Sequence, residues 1–104
     1  MDRLGRLPEA VAEFQRALER NPTHRDALNG LGIALVRQGR LAPAADVFRR
    51  LIASDPDNAD AHSNLGAIYL TQGANANAER EFRAALEINP AHALARQGMQ
   101  KLGR

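Results

Sequence analysis

The feature that most constrains this chain is a spacing. Phe14, Phe48 and Phe82 are its three phenylalanines, and each lies 34 residues from the next. Pro22, Pro56 and Pro90 take the same step, as do Gly5, Gly39 and Gly73, and Ala10, Ala44 and Ala78. Ala27, Ala61 and Ala95 form a fifth series, and Leu31, Leu65 and Met99 a sixth. A fixed period of this length marks a repeat array. Each unit is then one supersecondary element that cannot bury its apolar side alone, so neighbours stack to make the core.

Two helices are legible in each period. Ala27, Leu31, Ala34 and Leu35 fall at helical spacing and predict a helix over about 25–38. Gly39 ends it, because glycine suits the left-handed residue after a helix. A second helix is predicted over 41–54, with Leu41, Ala44, Ala45, Phe48, Leu51 and Ile52 on its apolar face. Pro43 falls in the first turn, where a missing N–H costs little, and Asp55-Pro56 closes the repeat. The next period follows the same plan. Ala61, Leu65, Ile68 and Tyr69 lead to Gly73, then Ala78, Phe82, Ala85 and Leu86 lead to Asn89-Pro90. No segment alternates with the period of a strand. Gly32 and Gly66 sit inside helices, where glycine costs about 1 kcal/mol relative to alanine. That cost makes sense where a neighbouring helix must come close, with Ala44 and Ala78 expected at the facing contact and Phe48 and Phe82 filling the space beside it.

These residues reach a family. Leu28-x2-Leu31-Gly32-x2-Leu35, then Ala44-x3-Phe48, then Pro56 resembles the tetratricopeptide repeat pattern. His62-x2-Leu65-Gly66-x2-Tyr69, Ala78-x3-Phe82 and Pro90 match it again, and Ala10-x3-Phe14 with Pro22 matches its second half. Leu28 and His62 replace the usual Trp, and Leu35 replaces one Tyr. The resemblance implies an all-α fold, a right-handed superhelical array of antiparallel helix pairs. It also implies a concave groove lined by the first helix of each pair.

The register is half, full, full, half within a single domain over 1–104. Residues 1–24 hold a second helix near 7–20, 25–58 and 59–92 are full repeats, and 93–104 hold a first helix that reads as a cap. Ala10, Phe14 and Ala17 on the N-terminal helix lack the first helix they would pack on. Their match on the C-terminal helix is Ala95 and Met99, so end-to-end self-association, giving a homo-oligomer, is one expectation.

Composition narrows the chemistry. The chain has 104 residues, 44% hydrophobic and 25% charged, the mix of an ordinary globular protein. It has no Cys, so disulfide scaffolds, thiolate zinc sites and thiol catalysis are excluded. No apolar run approaches the roughly 20 residues that cross a bilayer, and the charged start before Pro8 is not a signal peptide. A cytoplasmic protein without membrane insertion is therefore expected. The net charge is only +2, and it runs 0, +1, −2 and +3 over 1–24, 25–58, 59–92 and 93–104. That pattern has no continuous basic stripe for nucleic acid. His24 and His92 share one turn position of the repeat, and His62 takes a place that is usually aromatic. None of the three is i, i+4 from another, so no metal site and no cofactor is expected. Ser54 and Ser63 lack a nucleophile's context, and Glu79 and Glu81 face different ways. The chain does not read as an enzyme.

What remains is the groove. Helical spacing makes Asn29, Ile33 and Arg37, with Asp26, its candidates on one helix. Ser63, Asn64 and Ala67, with Asp60 and Thr71, follow on the next, and Gln97 and Lys101 on the last. Amides for a peptide backbone, small gaps and one isoleucine for side chains, and two cations for an acid suit an extended peptide. The chaperone-tail clamp known in the family is mostly missing. Asn29, Ile33, Leu94 and Gly98 replace four of its residues and only Asn64 matches. The expected function is a protein-interaction or assembly scaffold binding a peptide or protein segment. The alternatives are a self-assembling module, or a regulatory segment of a larger enzyme such as a glycosyltransferase.

Overall fold

The computed structural model describes residues 6–104. Gly5, and with it residues 1–5 of the expected half-repeat, lies outside the described residues. The elements are six helices: α1 (Leu7–Arg20), α2 (Arg25–Arg37), α3 (Leu41–Ser54), α4 (Ala59–Thr71), α5 (Asn75–Ile88) and α6 (Ala93–Lys101). The described residues contain no strand.

The helix ends follow from local chemistry that recurs with the repeat. His24, Asn58 and His92 hold one repeat position, and each side chain accepts the N–H of the residue three further on, Ala27, Ala61 or Ala95. Each also donates its own N–H back across the turn, to Asn21 O, Asp55 O or Asn89 O, at 3.0–3.1 Å. At the other end, Gly39 and Gly73 take φ of 77° and 80°. Their N–H groups bond Val36 O and Leu70 O, while Arg40 and Ala74 donate to Leu35 O and Tyr69 O. This paired motif satisfies the last carbonyls and needs a residue without a β-carbon penalty. α6 closes by the same motif at Gly103, with Arg104 donating to Met99 O at 3.0 Å. The helix therefore stops at Lys101 instead of running to 104, and is nine residues long against thirteen in α2 and α4.

The chain forms two compact units, Met1–Ser54 and Asp55–Arg104. In the first, Leu7, Val11 and Leu18 of α1 and Ala44, Ala45, Val47, Phe48 and Leu51 of α3 are buried. α2 contributes Ala27, Leu28, Leu31, Ala34 and Leu35. The rings of Phe14 and Phe48 lie on α2 at Gly30 and Gly32. A β-carbon at Gly32 would stand 2.6 Å from Phe48 Cζ, and one at Gly30 closer still to Phe14. In the second unit, Phe82 of α5 lies between α4 and α6, on Gly66 and on Gly98. A β-carbon at Gly66 would be 2.8 Å from its Cε1. Each close approach thus exists because glycine vacates the space. The sequence pattern locates the glycines, while the structure shows that the ring itself fills the vacancy.

Phe48 is fully buried, whereas Phe14 is half-buried. Phe48→Ala should cost about 3–5 kcal/mol in chemical denaturation, and Phe14→Ala distinctly less. Equal losses in a monomer would contradict this ordering.

Candidate functional site

The expected groove residues divide between the two units. On α2, Asn29, Ile33 and Arg37 follow one another at i, i+4 and form one stripe. Asn29 is half-buried, Ile33 is 36% exposed and Arg37 is exposed. Asp26 is exposed at the head of the same helix. Val36 lies beside Ile33 and is 38% exposed, an apolar contribution to this surface that the spacing argument passed over.

In the second unit α4 packs against α6. Asn64 and Ala67 are half-buried on α4, while Gln97, Lys101 and Leu94 are exposed on α6. Thr71 Oγ1 donates to Ala67 O at 3.0 Å, so its hydroxyl hydrogen is taken. Ser63 is not on the exposed row: it is fully buried. Asn29, Asn64 and Gln97 make no side-chain hydrogen bond among the described residues, which leaves three amides able to donate and accept.

Ser63 belongs instead to a hydrogen-bonded tie that runs from the interior to an exposed carboxylate. Its Oγ donates to His92 Nδ1 at 3.2 Å, and His92 Nε2 donates to Asp60 Oδ1 at 2.6 Å. The carboxylate places the ring proton on Nε2, so Nδ1 is the acceptor that also caps Ala95 N at 3.4 Å. Hydroxyl, imidazole and carboxylate thus stand in the order of a hydrolytic triad. With Ser63 fully buried, no acyl carbon reaches Oγ, and the arrangement joins the start of α6 to α4. His62 makes a second tie. Its Nδ1 lies 2.8 Å from Glu81 Oε1 on α5 and its Nε2 lies 2.9 Å from Pro56 O. The sequence reads this position as aromatic packing, whereas the ring is held by hydrogen bonds. Glu79 points elsewhere, to Arg83 and Arg104. No group of three metal-ligating side chains occurs among the described residues, and none of their helices is long and apolar enough to cross a membrane.

Of the residues expected to mediate self-association, Ala10, Phe14 and Ala17 are half-buried on α1 and Met99 is half-buried on α6. Ala95 is 0% exposed within the second unit.

A family model described as tetratricopeptide repeat matches residues 2–59 and again 34–93. The chain belongs to the tetratricopeptide repeat (TPR) family. Its all-α, TPR-like fold recurs in solved structures. YrrB, described as a TPR protein with an unusual peptide-binding site, is 30% identical with a TM-score of 0.86 over 93% of this chain. The TPR chain spans 50% of the YrrB chain. The first TPR of Spaghetti (RPAP3), bound to the HSP90 peptide SRMEEVD, gives 0.90 at 19% identity, with 95% of this chain and 79% of that one covered. The second TPR domain of human RPAP3, in complex with the HSP70 peptide SGPTIEEVD, gives 0.88 at 16% identity, covering 96% and 83%. These two share the fold. No curated protein sequence matches the TPR chain.

The His92 tie is open to a direct check. His92→Ala removes the cap and both side-chain partners, and should cost about 1–2 kcal/mol. Hydrogen exchange at the α6 amides should rise well before that of α4. Uniform acceleration through the unit would show that the tie does not act locally.

Proposed function

We propose that this TPR chain is a protein-interaction module that binds an extended peptide segment. The observation that carries the reading is the row on α4 and α6, where the unbonded amides of Asn64 and Gln97 accompany Ala67, Leu94 and Lys101. Paired amides can bond both the N–H and the C=O of a peptide backbone. Ala67 leaves room for a ligand side chain, and Leu94, 37% exposed, offers apolar contact. The α2 stripe of Asn29, Ile33 and Arg37 repeats this chemistry in the first unit. The solved TPR domains with bound peptides support the same reading by fold.

The ligand is an internal segment and not an acidic C-terminus. A terminal carboxylate is held by cations, and the family's clamp places Lys or Arg at positions that are here Asn29, Leu94 and Gly98. Gly98 is covered by the Phe82 ring. Calorimetric titration with SRMEEVD or SGPTIEEVD should therefore give no saturable heat. Tight binding of either would refute the internal-segment reading.

For a peptide selected from a random library, Asn64→Ala should weaken binding by about 1–3 kcal/mol, the cost of losing a paired buried amide. An unchanged affinity would take Asn64 out of the site.

A further inference from the structure

The stripe along α2 has an order of chemistry. Asp26 is exposed at the head, Asn29 follows half-buried, and Arg37 is exposed in the last turn. Between them Ile33 and Val36 are 36% and 38% exposed. Three residues apart on a helix, they adjoin and form one apolar spot beside the guanidinium. Asp26 and Arg37 make no hydrogen bond or ion pair among the described residues. They lie about 16 Å apart along the axis, too far to pair with each other. The repeat does not dictate this order. On α4, Thr71 holds the position of Arg37, Ala67 that of Ile33 and Asp60 that of Asp26. Asp60 already accepts the His92 Nε2 proton at 2.6 Å. α2 thus leaves both an acid and a cation open, with an aliphatic spot between them, where α4 has no cation and its acid is taken.

We infer that α2 selects the bound segment by side-chain order. An aliphatic residue meets Ile33 and Val36, an acidic residue two positions along meets Arg37, and a basic residue about four positions the other way meets Asp26. The inference rests on the peptide reading above and names what that peptide must carry. The spacings follow from helix and strand geometry. Ile33 and Arg37 are about 6 Å apart along the axis, close to two residues of extended chain. Ile33 and Asp26 are about 10 Å apart, within reach of a lysine or arginine four positions away. Residues two and four positions apart share one face of an extended chain, so the three side chains meet α2 together. Either chain direction satisfies the order. The occupant is a partner-protein segment that carries both charges. Neither SRMEEVD nor SGPTIEEVD contains the full order.

The test is selection from a random peptide library on the 104-residue chain and, in parallel, on its Arg37→Glu variant. Arg37 is exposed, and matching circular dichroism checks that the variant keeps the fold. Peptides selected on the natural chain should carry the aliphatic, acidic and basic residues in the stated order. In NMR titration they should shift the amides of Asn29, Ile33 and Arg37. On the variant the aliphatic residue should stay and lysine or arginine should replace the acidic one. A peptide selected on the natural chain should bind the variant about fivefold more weakly, and the gap should narrow in high salt. Binders that depend on Asn64 but carry the same charge pattern on both chains overturn this inference and leave the peptide reading standing. Binders that leave the α2 amides unshifted do the same. A library that yields no binder on either chain overturns both.

Discussion

A phenylalanine ring laid directly on helix backbone, where glycine leaves no β-carbon, is the contact on which both units depend. The energetics are close to balanced at the ring itself. Burying a phenylalanine contributes about 1.5–3 kcal/mol, and each helical glycine costs about 1 kcal/mol against alanine. Phe82, which rests on two glycines, gains little from its own burial after that cost. The larger return is the close approach of three helices. It lets Ala78 and Ala85 on α5 and Ala95 on α6 reach 0% exposure, a degree of burial that small side chains reach only when backbones come near. Small residues and large rings are therefore two halves of one packing device.

The functional surface follows from that device. Glycine faces and apolar stripes are turned inward, so the remaining faces of α2, α4 and α6 carry the polar and scattered apolar side chains. Polar ties then join the helices of the second unit. The Ser63–His92–Asp60 chain orients the start of α6, and His62 joins α4 to Glu81 of α5. In the proposed reading, α6 held in this way sets Gln97 and Lys101 in one binding row with Asn64 and Ala67. On that reading a peptide would meet little ordering cost on the protein side.

Much of this is legible in the chain, and the gaps have physical causes. α1 and α3 occupy Leu7–Arg20 and Leu41–Ser54, the spans their apolar periodicity predicts, and Gly39 and Gly73 cap as their spacing implies. Gly32 and Gly66 signal close approach. What they cannot signal is which side chain enters, since that depends on the crossing of two helices. The reading of Ser63 as a groove residue comes from its distance to Asn64 and Ala67. Ser63 is buried, and its hydroxyl finds a partner there in His92, 29 residues away, a pairing that no local pattern encodes. The capping role of His24 and His92 was within reach, because Asn58, a common cap residue, holds the same repeat position. The early end of α6 was within reach too, through Gly103.

The most direct test of the central contact is a double-mutant cycle on Phe82 and Gly98, read by chemical denaturation. Gly98→Ala in the natural background should destabilise, because the new β-carbon meets the Phe82 ring. In a Phe82→Leu background the same change should become neutral or stabilising, approaching the roughly 1 kcal/mol that alanine gains over glycine in a helix. The account predicts this reversal of sign and a coupling energy above about 1 kcal/mol. Equal effects of Gly98→Ala in the two backgrounds would contradict it.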